Sequence, residues 1–147
     1  MRKFVFMLAL LCSPMLAAED LYMVRSQLSF PEAMTVLQQA ISDSGYQVSR
    51  VQRVDIGLTT FGYKTDKYRV VFFGKLAEIR EVGDRQPDLL AYLPLKIAIF
   101  AENEQTILLS SSFAHLRSFY SSPELLASFD RWETDIQSIL DRVRMVH

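Results

Sequence analysis

The stretch from Leu93 to Ser112 constrains the fold most, because its apolar residues alternate along two segments separated by a polar loop, Glu102–Gln105. Alternation with a period of two places successive side chains on opposite faces of a strand. In the first segment the two predicted faces are Ile97, Ile99 and Ala101 against Lys96, Ala98 and Phe100. The second segment alternates in the same way through Ile107, Leu109 and Ser111. The stretch therefore predicts a β-hairpin, and with it a sheet at the centre of the fold.

The first 18 residues are typical of a secretory signal peptide. Arg2 and Lys3 precede an apolar run from Phe4 to Cys12, and small residues follow it before the acidic pair at positions 19–20. The run is too short to span a bilayer of roughly 30 Å. We therefore expect a periplasmic or secreted protein. An uncleaved N-terminal anchor is the alternative, because Leu16 is large for the position three residues before the cleavage site.

Cleavage after Ala18 would leave residues 19–147, a chain of 129 residues with a formal net charge of −3. That length is enough for a single domain with its own core. A mildly acidic chain without a basic run argues against a nucleic-acid partner. Cys12 is the only cysteine, so the mature chain has neither disulfides nor thiol chemistry. No later apolar run reaches 18 residues, and no membrane span is expected after removal of the signal peptide.

The order of predicted elements indicates an α+β fold. A strand over 21–28 precedes a helix that starts at the capping box Ser29–Glu32 and stops at Gly45. Strands follow over 46–54 and 68–73, with a bulge near Arg50. Residues 55–66 fit either a short helix or a weak strand, residues 75–94 are irregular, and residues 113–120 fit a short helix or a loop. A long amphipathic helix begins after Ser122. We expect helices packed on one face of a largely antiparallel sheet.

Four short motifs in this order resemble the domain-of-unknown-function 302 family: Phe30–Ala33, Gly45–Val48, Val70–Gly74 and Leu93–Ile97. The family often has Asn-Pro where this chain has Lys75 and Leu76, and a proline where it has Phe113, so the chain looks like a divergent member. The resemblance covers nearly the whole mature chain. It implies a β-α-β4-α arrangement similar to the TATA-box-binding-protein-like fold, together with self-association. It implies no reaction.

Candidate site residues are few. His115, Arg117 and Tyr120 lie in one short segment and could together hold a small anion or a haem, although a structural histidine is the favoured interpretation. The C-terminal Met145–His147 could bind copper, but a frayed terminus explains it better. Two histidines without a mature cysteine are poor material for a metal site. We therefore expect neither a bound metal nor a cofactor.

No set of catalytic residues stands out. The paired carboxylates at Glu102 and Glu104, and at Asp130 and Glu133, are interpreted as solvated faces. The serines 110–112 lack the geometry of a nucleophile elbow. The glycines never form Gly-x-Gly, so no phosphate cradle is indicated.

The strand over 68–73 is apolar on both faces. If strands 1 and 3 share a sheet, Val71 and Phe73 could form an exposed apolar patch with Met23, although burial beneath helices is the favoured interpretation. The resulting hypothesis is a non-enzymatic binding or accessory protein of the cell envelope that acts as a homodimer, since no set of catalytic residues stands out. Its partner would be a small apolar ligand or an envelope protein. The alternative is a haem- or metal-binding redox accessory protein with His115 as the ligand.

Overall fold

The computed structural model describes residues 21–146, within which strands and helices alternate along most of the chain. The strands are β1 (Leu21–Ser26), β2 (Gln47–Arg53), β3 (Tyr68–Gly74), β4 (Leu95–Glu102) and β5 (Gln105–Ser111). The helices are α1 (Phe30–Asp43), α2 (Asp55–Thr60), α3 (Leu76–Arg85) and α4 (Pro123–Met145), with two 3-10 helices at Pro87–Tyr92 and Ala114–Phe119. The predicted signal peptide over residues 1–18 lies outside the described residues.

The five strands form one antiparallel sheet in the order β1-β5-β4-β3-β2. The predicted hairpin is β4 and β5, but its loop is shorter than expected, because Glu102 and Gln105 already pair. Asn103 and Glu104 make the turn with φ of 47° and 66°, which are the left-handed conformations of a two-residue hairpin turn. The predicted irregularity near Arg50 is a register shift between Val48 and Arg50.

Helix α1 begins and ends where the sequence predicts. The Glu32 carboxylate accepts hydrogen bonds from the backbone N–H of Ser29 at 3.1 Å and from its hydroxyl at 2.6 Å. At the other end Gly45 adopts φ +79°, and the N–H of Tyr46 reaches back to the carbonyl of Ile41 at 3.2 Å. This is a glycine-terminated helix end, which turns the chain directly into β2.

Helices α1 and α4 pack against each other and cover one face of the sheet, as the α+β prediction requires. The core between these layers contains side chains from both helices and from the three central strands, including Leu37, Phe73, Ile97, Leu108 and Trp132. Polar contacts fasten the layers at their edges. The Ser26 hydroxyl donates to the carbonyl of Val143 at 3.0 Å, and Arg142 pairs with Asp43 at 2.7 Å.

The prediction of an exposed patch at Val71 and Phe73 is wrong. Both side chains are fully buried beneath the helices, because Val71 lies opposite Ile97 and Phe73 lies opposite Leu95 on the covered side of the sheet. Met23 is exposed on the other side, opposite Leu109 on β5. The apolar residues that share its face are the alternate ones, Val70 and Phe72.

The segment between β3 and β4 is more regular than the sequence indicates. Helix α3 runs for ten residues and passes through Gly83, in a segment that the sequence predicts to be irregular. Its Glu78 carboxylate accepts from the indole N–H of Trp132 at 3.1 Å and pairs with Arg131, so that α3 is anchored to α4. Within residues 21–146 no helix is both long and apolar enough to cross a membrane.

Candidate functional site

The sheet has one face that no helix covers within the described part of the chain, and we call it the open face. The strand register assigns its side chains: the residues that pair with Ala98 across the sheet, and every second residue from these along each strand, point away from α1 and α4. Its centre is apolar and its charged residues lie toward the margins. Its members are Leu21, Met23, Arg25, Arg50, Gln52, Tyr68, Val70, Phe72, Lys96, Ala98, Phe100, Glu102, Gln105, Ile107, Leu109 and Ser111.

Among the large apolar residues of the open face, exposure is greatest at the β1 edge, where Leu21 and Met23 are each 56% exposed. Toward the other end of the sheet Tyr68 and Phe100 contact each other, with ring centroids 5.3 Å apart. A shallow groove of about 310 Å³ crosses the middle of the face and is lined by Val54, Val70, Phe72, Ala98 and Leu109 with polar neighbours. The open face therefore carries a continuous apolar surface.

A second cavity lies where β4 begins and β5 ends, and we call it the end pocket. It has a volume of about 220 Å³. Its floor consists of the buried residues Leu95, Ser110, Ser112, Phe113, Leu116 and Ile136, of which only the two serines are polar, and its rim of the exposed residues Tyr92, Lys96, Ser111 and His115. An apolar cavity with a few convergent polar groups is the usual form of a small-molecule site.

Lys96 lies between the groove on the open face and the end pocket, and it lines both of them. No carboxylate lines either cavity, although the chain has 17 acidic and 16 basic residues. Among the described residues Lys96 and His115 take part in no ion pair. Lys96 therefore places at this end of the sheet a positive charge that no ion pair among the described residues neutralises.

The sequence-predicted residues His115, Arg117 and Tyr120 do not share one cavity. His115 is exposed on the rim of the end pocket, where its ring lies 6.2 Å from that of Tyr92 in an edge-on arrangement. The 220 Å³ of this pocket fall below the roughly 300–1,000 Å³ of ordinary ligand sites, so it does not enclose a macrocycle. The haem hypothesis gains no support from this arrangement.

Arg117 is directed toward α4, away from His115. Its guanidinium contacts Glu133 at 2.9 Å and Asp130 at 2.8 Å, and Glu133 also accepts from the backbone N–H of Phe113 at 2.5 Å. The Glu133 side chain is only 14% exposed. The interpretation of Asp130 and Glu133 as a solvated pair is therefore wrong for Glu133, which fixes the second 3-10 helix to α4.

Tyr120 lines a different shallow depression, together with Phe119 and Tyr92. Its hydroxyl donates to the Asp88 carboxylate at 2.8 Å. Partial burial, together with this acidic neighbour, raises the pKa of Tyr120 to about 12, so the hydroxyl stays protonated at neutral pH. This hydrogen bond joins Asp88 in the first 3-10 helix to the residue that follows the second, and its role is structural.

One buried acid was not anticipated from the sequence. Asp55 is 2% exposed, and its two carboxylate oxygens accept from Arg53 and from Arg69, each at 2.6 Å. The hydrogen bond from Arg53, with the charge of Arg69, lowers the pKa of Asp55. The sequence could have indicated this cluster, because Arg53 and Asp55 flank the end of β2, and Arg69, near the start of β3, pairs with Arg53.

Residues 21–146 contain no cluster of three or more histidine, cysteine, aspartate or glutamate side chains arranged to hold a metal ion. Met145 is exposed at the last position of α4. His147, the proposed copper ligand beside it, lies outside the described residues.

Lys96, Tyr92, Val70 and Phe72 were not among the predicted site residues. The sequence does place Lys96 with Ala98 and Phe100 on one face of the hairpin. That lysine, at the end of an otherwise apolar face, was the available signal that this face is uncovered, since an unpaired charge is costly in a core. The end pocket had no such signal, because its walls come from distant segments of the chain.

Comparison with known proteins is consistent with this geometry. Residues 22–143 match the family described as "Domain of unknown function DUF302". The crystal structure of an uncharacterised conserved DUF302 protein from Bacillus stearothermophilus has a similar fold, with a TM-score of 0.74 and 20% sequence identity, over 86% of this chain and 100% of that chain. No curated protein matches the chain. The family match extends from β1 to the last turns of α4, and this chain is therefore a member of the DUF302 family.

Proposed function

We propose that this protein is an exported, non-enzymatic binding domain that self-associates through the open face of its sheet. The observation that carries the proposal is the apolar centre of that face, formed by Val70, Ala98 and Leu109, which lie side by side on neighbouring strands. Exposed apolar patches of several hundred Å² mark interaction surfaces on soluble proteins.

The dimensions of the open face suit a second copy of the chain. Five strands spaced by about 4.8 Å give a width of about 24 Å, and strands of about six residues give a length of about 20 Å. Each face then contributes about 480 Å², so that a pair buries close to the roughly 1,000 Å² of a specific interface. Lys96, Arg25 and Arg50 lie at the ends and edges of the face, which matches an apolar interface centre with a polar rim.

A non-enzymatic role is supported by what the reactive side chains do. Arg117 and Glu133 pair with each other, and Tyr120 donates to Asp88. The hydroxyl of Ser110 donates to the carbonyl of Lys96 at 2.8 Å, and that of Ser112 accepts from the N–H of Ala114 at 3.3 Å. These groups hold the fold together, and none of these contacts is that of a nucleophile with its base.

Sedimentation equilibrium tests self-association. We expect the wild type to be a dimer and Ala98→Glu to be a monomer with unchanged circular dichroism, because the new carboxylate would lie at the centre of the interface without a partner. Ile56→Glu is the matched control, since Ile56 is 60% exposed on α2, and it should remain a dimer. A monomeric wild type at every accessible concentration would refute the proposed interface.

Export is tested separately by the mass of the protein recovered from the periplasm after expression of the full chain in a bacterium. We expect a chain that starts at Glu19. An intact N-terminus at Met1 would instead support the membrane-anchored alternative.

A further inference from the structure

The end pocket has the features of a ligand site with a defined polarity. The pocket is apolar below, where Leu95, Leu116 and Ile136 are 4%, 3% and 1% exposed, and polar above. A purely apolar ligand would leave the polar rim without partners, and a small inorganic ion would leave the apolar floor in contact with water. The occupant that satisfies both parts is amphipathic.

The charge of the rim defines the ligand further. Lys96 provides an ammonium group with three donors, and His115 provides at least one ring N–H in either protonation state. Ser111 and Tyr92 add hydroxyl groups, and no acidic side chain lines the pocket. Donors without a competing carboxylate select an anion, and charge-assisted hydrogen bonds are roughly twice as strong as neutral ones.

We propose that the end pocket binds a small amphipathic monocarboxylate, with its apolar chain against Leu95, Leu116 and Ile136 and its carboxylate between Lys96 and His115. The volume of about 220 Å³ suits a short-chain fatty acid rather than a drug-sized molecule. This inference rests on the proposed binding role and specifies its ligand class. It does not depend on self-association, because the pocket is lined within a single chain.

Isothermal titration calorimetry with hexanoate, hexanamide and butyrate tests both halves of the ligand. Hexanamide keeps the chain but lacks the charge, and we expect it to bind at least about tenfold more weakly. Butyrate keeps the charge but has two fewer methylene groups, and we expect it to bind about fifteenfold more weakly, since each buried methylene contributes roughly fourfold. Equal affinity for hexanoate and hexanamide would overturn the proposal.

The variant Lys96→Gln tests whether the ammonium group of Lys96 binds the carboxylate of the ligand. The exposed Lys96 can be replaced without disturbing the core, and the variant should bind hexanoate at least about tenfold more weakly while its affinity for hexanamide stays unchanged. Lys64→Gln is the matched control, because it removes the same charge from an exposed loop position, and it should bind hexanoate like the wild type. Unchanged hexanoate binding by Lys96→Gln would overturn the assignment.

Two-dimensional NMR of the amide groups locates the bound hexanoate. We expect the largest shifts at Lys96, Ser111 and His115, and shifts confined to the middle of the open face would overturn the end pocket as the site. Sedimentation of the same samples separates this inference from the proposed function. A dimer that binds no hexanoate refutes the pocket but not the interface, whereas a monomer that binds hexanoate refutes the interface and supports the pocket.

Discussion

The two faces of the sheet are both apolar at their centres, yet residues 21–146 cover only one of them. On β3 the four successive residues Val70, Val71, Phe72 and Phe73 divide equally between them. Val71 and Phe73 are fully buried beneath α1 and α4, while Val70 and Phe72 keep partial exposure on the open face. Hydrophobicity alone therefore does not distinguish a sheet face that belongs to the core from one that is available to another molecule. The position of the helices makes that distinction.

The largest contrast is expected between two neighbouring phenylalanines. Phe73→Ala should lower the free energy of unfolding by about 3–5 kcal/mol, because it leaves a cavity in a core that packs closely around the ring. Phe72→Ala should lower it by roughly 1 kcal/mol, since a partly exposed side chain gains only part of the burial energy. Urea denaturation of both variants, at concentrations below the dissociation constant of the proposed dimer, provides the measurement.

The same pair also sharpens the assignment of the interface. If Phe72 packs in a dimer, the cost of Phe72→Ala should rise with protein concentration, because association stabilises the folded chain by mass action. The cost of Phe73→Ala should not depend on concentration. Equal costs at low concentration would mean that the open face is covered in solution by some other part of the protein.

A second contrast concerns ion pairs on the two sides of the sheet. Asp55 is buried against Arg53 and Arg69, whereas the contact of Arg25 with Glu102 at 3.3 Å is half-exposed on the open face. Asp55→Asn should lower the thermal midpoint by several degrees, because it removes the negative charge that two guanidinium groups share and replaces one acceptor oxygen with an NH2 donor. Glu102→Gln should cost no more than about 1 kcal/mol, as is usual for exposed pairs.

The effect of Asp55 should depend on pH. Its folded-state pKa lies below the ordinary value, first because of the hydrogen bond from Arg53. The stabilisation is therefore fully present above the unfolded-state pKa of about 3.9 and is lost as the pH falls through the folded-state value. Thermal melts of wild type and Asp55→Asn should differ at pH 7 and converge on acidification below about pH 4. A constant difference across that range would show that the ionised carboxylate is not the stabilising group.

The regular features of the fold could be predicted because they depend on local patterns. The start of α1 at Ser29 and the end at Gly45 follow from capping chemistry within a few residues, and the β4–β5 hairpin follows from alternation. The covered face could not be assigned in this way, because Val70 to Phe73 carries the same apolar character on both sides. The end pocket also lay beyond local patterns, since Lys96 and His115 belong to separate segments of the chain and line one cavity only in the folded structure.

The smallest contrast is expected between two glycines, and it tests how α1 is held over the covered face. Gly45 has φ +79°, and a Cβ at this position would meet nothing closer than Lys75 Cε at 3.9 Å, so the cost of Gly45→Ala arises from the backbone alone. We expect a loss of about 1–2 kcal/mol, the usual cost of a left-handed conformation for a residue with a side chain.

Gly57→Ala is the matched control, because Gly57 lies within α2 and no atom outside its own stretch of helix stands within 4 Å of the added Cβ. That substitution should leave stability unchanged or raise it by up to about 1 kcal/mol. Urea denaturation of the two variants measures both effects, and a loss at Gly57 as large as that at Gly45 would show that chain packing, and not the positive φ, determines the response to an added methyl group.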